Sequence, residues 1–236
     1  MNTLWKIAVL VIILTVHTTS GLSWAVTYNL AASVDDTFAE IEAADQNLVT
    51  LDYVRFGDLD FSGAYYEDEA YLRFASDIPV GSTVTSAKLQ FYATFSNAAT
   101  VNRLIRALAQ AGTPAWRGAG GFNTTNYANG TALNGITLIT GYTTWYSVAA
   151  WTANNWYDSP DITARVQAQI DDANYDPSDS VKKYVGYRLQ QSGWAPCAIC
   201  ARIFASYDSG ANSARLVVEY TPPVGAGAAQ VIIIRR

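Results

Sequence analysis

The segment AYLRFASDIPVGSTVTSAKL, residues 70–89, decides the fold class of this chain. Its first five residues alternate apolar and polar side chains, which is typical of a β-strand with one buried face. Residues 78–82 follow as a turn, where Pro79 and Gly81 supply the backbone geometry. A long strand is predicted from Thr83 to Thr94, and a change of phase near Ser86 predicts a bulge or twist there. The expected inward residues of that strand are Val84, Ala87, Leu89, Phe91 and Ala93.

Strand patterns of the same kind recur along the chain, and one helix interrupts them. Further strands are predicted at residues 51–56, 101–108, 181–190, 199–207 and 214–221. Apolar residues at 162, 166 and 170 predict a short helix over about 160–171, with Asp161 capping its start. Together these elements predict an all-β fold. We expect one antiparallel, jelly-roll-like β-sandwich spanning residues 26–221.

The composition of the chain excludes several classes of protein and of partner. Half of the 236 residues are hydrophobic, which permits a sizeable core and excludes intrinsic disorder. The net charge is -5, and no basic stretch interrupts the acidic balance. Nucleic acid and anionic membrane surfaces are therefore not expected as partners, because both require clustered Lys and Arg.

The N-terminus has the pattern of a secretory signal peptide. Lys6 precedes the apolar run Ile7 to Leu14, and Ser23 and Ala25 provide small residues at positions -3 and -1 of a cleavage site. We expect residues 1–25 to be removed and the protein to be secreted or surface-exposed, with an uncleaved anchor helix as the alternative. Cleavage would remove His17, the single histidine. Ser-His-Asp triads and His-ligated metal sites are then excluded.

The C-terminus differs in composition from the rest of the chain. Pro222 and Pro223 end the last predicted strand, and a linker of small residues leads to the apolar run Val231, Ile232, Ile233 and Ile234. Such a run favours β-pairing. Within the tail, residues 222–236, it is a strand on its own domain, a strand donated to the sheet edge of a neighbouring subunit, or a disordered end.

Several of these segments resemble DNRLRE-type domains over residues 27–221. The resemblance rests on residues 70–74 and 78–89, on residues 151–163, and on the closing segments 204–209 and 214–220. Ser206-Tyr207-Asp208 stands near the place of the family's namesake charged motif. The resemblance implies a jelly-roll-like sandwich in a secreted or surface protein. Some relatives bind polysaccharides, and others occur in phage and bacterial surface proteins with no assigned role.

Cys197 and Cys200 are the two cysteines of the chain. Their spacing serves zinc, redox chemistry or a disulfide. Zinc would need two more ligands, and no thioredoxin-like pattern supports redox chemistry. A local disulfide is expected in a secreted chain, and two buried thiols are the alternative.

Acidic residues cluster near Gly57 and Gly63. Hard oxygen ligands on a turn suit a structural Ca²⁺ ion, although we favour a solvated acidic loop. The weak calcium candidates are Asp58, Asp60, Glu67, Asp68 and Glu69. A solvated strand face is likewise expected for Asp35, Asp36, Glu40 and Glu42. No other cofactor is expected.

Aromatic residues are frequent in the Gly-, Thr- and Asn-rich region between Gln110 and Asn155, which predicts long loops crossed by short strands such as Gly135 to Thr140. Flat rings stack on sugars, so we take five of them as glycan-binding candidates: Trp116, Tyr127, Tyr142, Trp145 and Tyr146. Trp151 and Trp156 are expected in the core. Asn123 and Asn129 match glycosylation sequons, which indicate exposed loops.

These observations favour a non-catalytic extracellular protein. We expect a structural subunit of a surface appendage, filament or particle, whose copies assemble through terminal strand exchange. The alternative is a carbohydrate-binding or adhesive module. A polysaccharide-degrading enzyme is a further alternative, but no motif selects a pair of catalytic carboxylates.

Overall fold

The computed structural model describes residues 23–40, 46–61, 64–112, 114–192 and 199–224. The described residues form twelve strands and two α-helices. The strands are β1 Trp24–Asn29, β2 Asp36–Glu40, β3 Gln46–Asn47, β4 Tyr53–Phe61, β5 Ala64–Ala75, β6 Thr83–Tyr92, β7 Arg103–Ala107, β8 Thr143–Trp145, β9 Trp156–Asp158, β10 Tyr184–Gln191, β11 Ile199–Ala205 and β12 Arg215–Thr221. The helices are α1 Gly130–Asn134 and α2 Thr163–Ile170.

Two antiparallel sheets pack face to face. The smaller sheet has the strand order β1-β12-β6-β9. The larger sheet follows the path β11-β4-β5-β10-β7-β8, and β2 and β3 join it beside β5. This arrangement confirms the predicted all-β sandwich.

The segment that decides the fold links the two sheets. Strand β5 lies in the larger sheet and β6 in the smaller one, so the turn at residues 78–82 carries the chain across the core. All five predicted inward residues of β6 and its extension are buried: Val84, Ala87, Leu89, Phe91 and Ala93. The predicted irregularity is also present, because the register with β12 shifts between the pairs Glu219–Ser86 and Tyr220–Val84.

An aromatic cluster fills one end of the core between the sheets. Phe91 lies 4.8 Å from Phe204 and 5.7 Å from Trp145, measured between ring centroids. Phe56 and Trp151 complete the cluster, with their rings 5.8 Å apart and nearly perpendicular. Edge-to-face and stacked pairs of this kind stabilise the core beyond the burial of their apolar surface.

Helix α2 packs into the core against strands β6, β7 and β10. Its apolar residues Ile162, Val166 and Ile170 are fully buried, as their spacing predicts. The N-cap position is Ile162, which makes no side-chain cap bond, so the predicted N-cap at Asp161 is one residue too early. The Asp161 carboxylate accepts a hydrogen bond from the Thr163 amide at 2.6 Å. The helix itself is eight residues long, shorter than the expected range of 160–171.

The outer face of the larger sheet lies under a second layer, which we call the cover layer and define as residues 109–138. Trp116, Phe122 and Leu133 of this layer are fully buried against Tyr71 and Ala39 of the sheet. The cover layer includes α1, whose start is capped by Asn129 through a 2.9 Å bond from the Ala132 amide. The prediction of long loops crossed by short strands is largely confirmed, because most of the described residues between β7 and β9 are turns and loops, interrupted by α1 and the three-residue strand β8. The predicted strand at 135–140 is reduced to a single bridge between Leu138 and Leu108.

The predicted signal peptide and the C-terminal tail lie largely outside the residues that the structure describes. Residues 1–22 and 225–236 lie beyond the described ranges, so the signal peptide and Val231–Ile234 stay predictions. Strand β1 begins at Trp24, and the predicted cleavage after Ala25 therefore falls within this strand. Among the described residues, no helix is long and apolar enough to cross a membrane.

Candidate functional site

Three of the five predicted glycan-binding aromatics are core residues. Trp116 has no exposed surface, and Tyr127 and Trp145 are 9% and 8% exposed. Trp116 and Tyr127 hold the cover layer together, because the Tyr127 hydroxyl accepts a hydrogen bond from the Trp116 amide at 3.0 Å. The prediction that these three rings form sugar platforms is wrong, since a buried ring offers no face to a ligand.

The other two candidates are exposed but separate. Tyr142 and Tyr146 are 55% and 58% exposed, and they flank the three-residue strand β8. Four residues of extended chain place their backbones roughly 13 Å apart. The Tyr146 hydroxyl bonds Ser192, whereas Tyr142 makes no ring contact among the described residues. The two tyrosines therefore do not form one platform.

Trp156, which we expected in the core, lies instead on the outer face of the smaller sheet. It is half-buried, and its ring stands 5.4 Å from that of Tyr92 on the neighbouring strand. The Arg215 guanidinium covers the Trp156 ring at 4.0 Å. This arrangement brings together two aromatic rings and a cation, a grouping that the sequence pattern did not predict.

Polar side chains continue this surface across the sheet. The Arg215 Nε donates to Gln90 Oε1 at 2.7 Å, and Gln90 Nε2 donates to Asp158 Oδ1 at 2.6 Å. Lys88 Nζ lies 2.5 Å from the second oxygen of Asp158. The alternation of β6 could have identified Lys88, Gln90 and Tyr92, because they face away from the inward residues Ala87, Leu89 and Phe91.

The predicted calcium candidates are used in other ways. Asp68 forms an ion pair with Arg55 at 2.6 Å, and Glu69 forms one with Arg188 at 2.5 Å, both inside the protein. Asp58 is buried 3.6 Å from Arg103, and Glu67 is half-buried. The Asp60 side chain lies outside the described part. No group of three acidic, His or Cys ligands able to hold a metal is found among the described residues. The prediction of a solvated acidic loop is wrong for Asp58, Asp68 and Glu69.

The acidic residues near β2 are also buried rather than solvated. Asp35 pairs with Arg73 at 2.6 Å, and Glu40 bonds Arg55. Among the described residues no cation lies beside Asp36: its Oδ2 accepts a hydrogen bond from the Tyr207 amide at 2.9 Å, and its buried Oδ1 has no hydrogen-bond partner there. Burial raises the pKa of the Asp36 carboxyl well above its ordinary value. Glu42, the fourth member of this group, lies outside the described residues.

Arg55 serves two carboxylates at once. It bonds both Glu40 and Asp68, so one buried positive charge faces two acids. Burial raises the pKa of Asp68 to about 8, although the Arg55 charge acts in the opposite direction. These acids and arginines connect neighbouring strands. In the described part of the chain, none of these acids lies in an open cleft that contains another carboxylate.

Two buried arginine side chains donate hydrogen bonds to backbone carbonyl oxygens. Arg202, fully buried, donates through Nη2 to the carbonyl oxygens of Ala99 and Val148 at 2.7 and 2.8 Å. Arg117 donates to the carbonyl of Asn174 at 2.8 Å and so fastens the cover layer. Burial lowers the pKa of both guanidinium groups. Both residues therefore act as structural clamps.

The structure describes one of the two cysteines and both of the predicted glycosylation sites. Cys200 is disulfide-bonded. Its predicted partner Cys197 lies outside the described residues, so the pairing stays a prediction. Asn123 and Asn129 are half-buried, and their side-chain oxygens accept hydrogen bonds from the amides of Asn126 and Ala132.

Clefts in the described surface are small. One of about 290 Å³ lies in the cover layer, lined by Ala109, Ala111, Pro114, Ala115, Tyr127, Ala132, Gly135, Ile136 and Thr137. A second, of about 330 Å³, has Asp208 as its one carboxylate among the lining residues. Neither brings together the paired acids that glycoside hydrolysis uses.

The fold defines a two-sheet antiparallel sandwich whose larger sheet carries an added cover layer. No protein-family model matches this chain, and a search of curated proteins finds no similar one.

Proposed function

We propose that this protein is a non-catalytic extracellular structural subunit of a surface appendage, filament or particle, whose copies assemble by exchanging the C-terminal strand. The observation that carries the proposal is the outer edge of β1. Within the described residues nothing pairs with this edge. An unpaired edge presents a row of N–H and C=O groups that can bond an added strand.

Strand β1 has none of the features that usually prevent edge pairing. Its sequence WAVTYN contains no charge and no proline, and it runs for six residues. The opposite edge of the same sheet, β9, has three residues and ends on Asp158. In the larger sheet β8 is equally short. Strand β11 is partly covered, because the Thr94 amide bonds the Ile203 carbonyl at 3.1 Å.

The C-terminal tail starts beside this edge. Trp24 of β1 pairs with Tyr220 of β12, and the tail begins at Pro222, two residues later. The run Val231–Ile234 is apolar and β-branched, and such residues favour pairing with a strand edge. The apolar, β-branched tail of a neighbouring copy therefore suits the uncharged β1 edge in its chemistry.

The buried ion pairs in the described part of the chain support a non-catalytic role. Asp35, Asp68 and Glu69 are each engaged by a buried arginine. General acid–base catalysis needs a titratable group within reach of a substrate. Secretion, on which the extracellular setting depends, rests on the sequence pattern of residues 1–25.

The test compares a chain that begins at Ser23, and so keeps all of β1, with the same chain lacking residues 222–236, using light scattering to measure mass. We expect oligomers from the full chain and a folded monomer after the deletion. Oligomers that persist after deletion, or a full chain that stays monomeric, would sink the proposal. The monomeric outcome for the full chain would instead fit a tail that pairs with its own domain.

A pair of charge variants locates the acceptor edge. Thr27→Lys places a charge on the exposed edge strand and is expected to weaken assembly. Ser86→Lys places the same charge on the same sheet face but on the interior strand β6, and is expected to leave assembly intact. Equal effects of the two substitutions would argue against β1 as the acceptor.

A further inference from the structure

The two sheets differ in what lies on their outer faces. The larger sheet is covered by residues 109–138, whereas in the described chain no element packs on the outer face of the smaller sheet. Lys88, Gln90, Tyr92, Trp156, Asp158 and Arg215 project from that face. We call these six residues the sheet-face site.

Three of these residues form a row across neighbouring strands. Arg215, Gln90 and Asp158 are register partners on β12, β6 and β9, and their side chains are linked by the two hydrogen bonds described above. Asn29 of β1 stands next to Arg215 and extends the row to the fourth strand. At the usual strand spacing the row spans about 14 Å. Its donors and acceptors are fixed before any ligand arrives.

The aromatic pair lies one step along the strands. Tyr92 and Trp156 are both half-buried, so each ring keeps an accessible part. Arg215 stacks on Trp156 and donates to Gln90 through Nε alone, and its two terminal nitrogens make no hydrogen bond within the described residues. The site therefore combines the apolar surface of two rings with the Arg215 guanidinium, which is held in place and still has N–H groups to donate.

We propose that the sheet-face site binds a neutral, hydroxyl-rich polysaccharide. Sugar rings offer apolar C–H faces to aromatic side chains and hydroxyls to amides, carboxylates and guanidinium groups. Both kinds of group meet on this face. The proposal goes beyond assembly and is independent of it, because the site lies on the sheet face and the exchanged strand would occupy the sheet edge.

The charges of the face favour a neutral ligand. Lys88 is paired with Asp158, and Glu219 on the same face offsets Arg215. A polyanion would need an excess of positive charge, which is absent among these residues.

The experiment is affinity gel electrophoresis of the full chain in gels containing xylan, galactomannan or laminarin, with alginate as the anionic comparison. We expect retardation by at least one neutral polysaccharide. Trp156→Ala and Gln90→Ala should each weaken that binding at least tenfold. Tyr142→Ala, which removes an exposed ring away from the sheet face, should leave binding unchanged. Thermal melting of each variant checks that it is folded.

Several outcomes would overturn the proposal. These are no retardation by any neutral polysaccharide, retardation by alginate alone, or loss of binding on Tyr142→Ala but not on Trp156→Ala. If Trp156→Ala fails to fold, the folded Gln90→Ala protein decides the matter. Light scattering on the same samples reports assembly separately, so failure of either proposal leaves the other standing.

Discussion

Trp24 stands opposite Tyr220 in the pairing of β1 with β12, and their ring centroids lie 6.2 Å apart. The contact joins the first described strand to the last. Trp24 is 54% exposed, so the contact covers only part of its ring. The predicted cleavage after Ala25 would remove this tryptophan and shorten the edge strand.

The first prediction concerns this N-terminal strand. A chain beginning at Val26 should be less stable than one beginning at Ser23 by about 1–2 kcal/mol, because it loses the partly covered contact of Trp24 with Tyr220 and two pairs of β1. Urea unfolding of the two chains measures the difference. Equal stability would show that Trp24 and Ala25 do not contribute to the sheet. The mass of the exported protein shows which form is natural.

The second prediction concerns the buried pair of Arg73 and Asp35. Both side chains are at most 2% exposed. Arg73 also donates to the carbonyl oxygens of Trp116 and Gly118 at 2.5 and 2.6 Å, so it holds the cover layer to the sheet. Arg73→Ala should cost about 3–5 kcal/mol of unfolding free energy, because it leaves the Asp35 charge buried without its cation.

The exposed pair of Lys88 and Asp158 is the matched control. Its side chains are 39% and 45% exposed, and water screens their attraction. Lys88→Ala should therefore cost less than about 1 kcal/mol. If the two alanine substitutions have similar effects on unfolding by urea, burial does not determine the contribution of these pairs.

The third prediction concerns the close packing of the cover layer on β10. A Cβ atom on Gly186 would lie 2.8 Å from Trp116 Cζ3 and 2.9 Å from Leu108 Cδ1, both of which are buried. Gly186→Ala should destabilise the protein by about 1–3 kcal/mol through overpacking. Gly135→Ala is the control, since the nearest atom there is the Ala132 oxygen at 3.4 Å. Thermal unfolding that ranks Gly135→Ala as the worse variant would contradict this packing.

The fourth prediction is a fall in stability as pH rises above the ordinary carboxyl range. Burial, with nearby Asp35 and Asp208, raises the pKa of Asp36, while the Tyr207 amide opposes the shift. The folded state therefore keeps a proton that the unfolded chain releases, and its stability is lost as pH increases. Asp68, whose pKa is raised to about 8, acts in the same direction.

Thermal melting at pH 5 and pH 8 measures this effect. The melting temperature should be lower at pH 8, by roughly 2–4 °C for each kcal/mol lost. Asp36→Asn keeps an oxygen for the Tyr207 amide and should reduce the difference between the two pH values. Asp176 and Asp179, whose pKa values are lowered by hydrogen bonds, titrate below this window. A melting temperature that rises from pH 5 to pH 8 would refute the prediction.

Local patterns were sufficient for the longer strands of both sheets and for α2, but they did not predict β1, β3, β8, β9 or α1. The alternation around residues 70–89, the apolar spacing of Ile162, Val166 and Ile170, and the bulge opposite Ser86 all follow from the periods of strand and helix. The site residues were harder to predict. The ring of Trp116 and the carboxylate of Asp35 look the same in sequence whether they face water or the protein interior.

The sequence by itself determined an all-β sandwich, the inward residues of β6 and the place of helix α2, because these depend on spacing along the chain. Tertiary structure alone decided which charges are buried and which rings are free. The reason is that residues 109–138 fold over the larger sheet, and this long-range contact buries Trp116 and encloses the pair of Arg73 and Asp35. The smaller sheet has no such cover among the described residues, and Trp156 is left half-exposed beside Arg215.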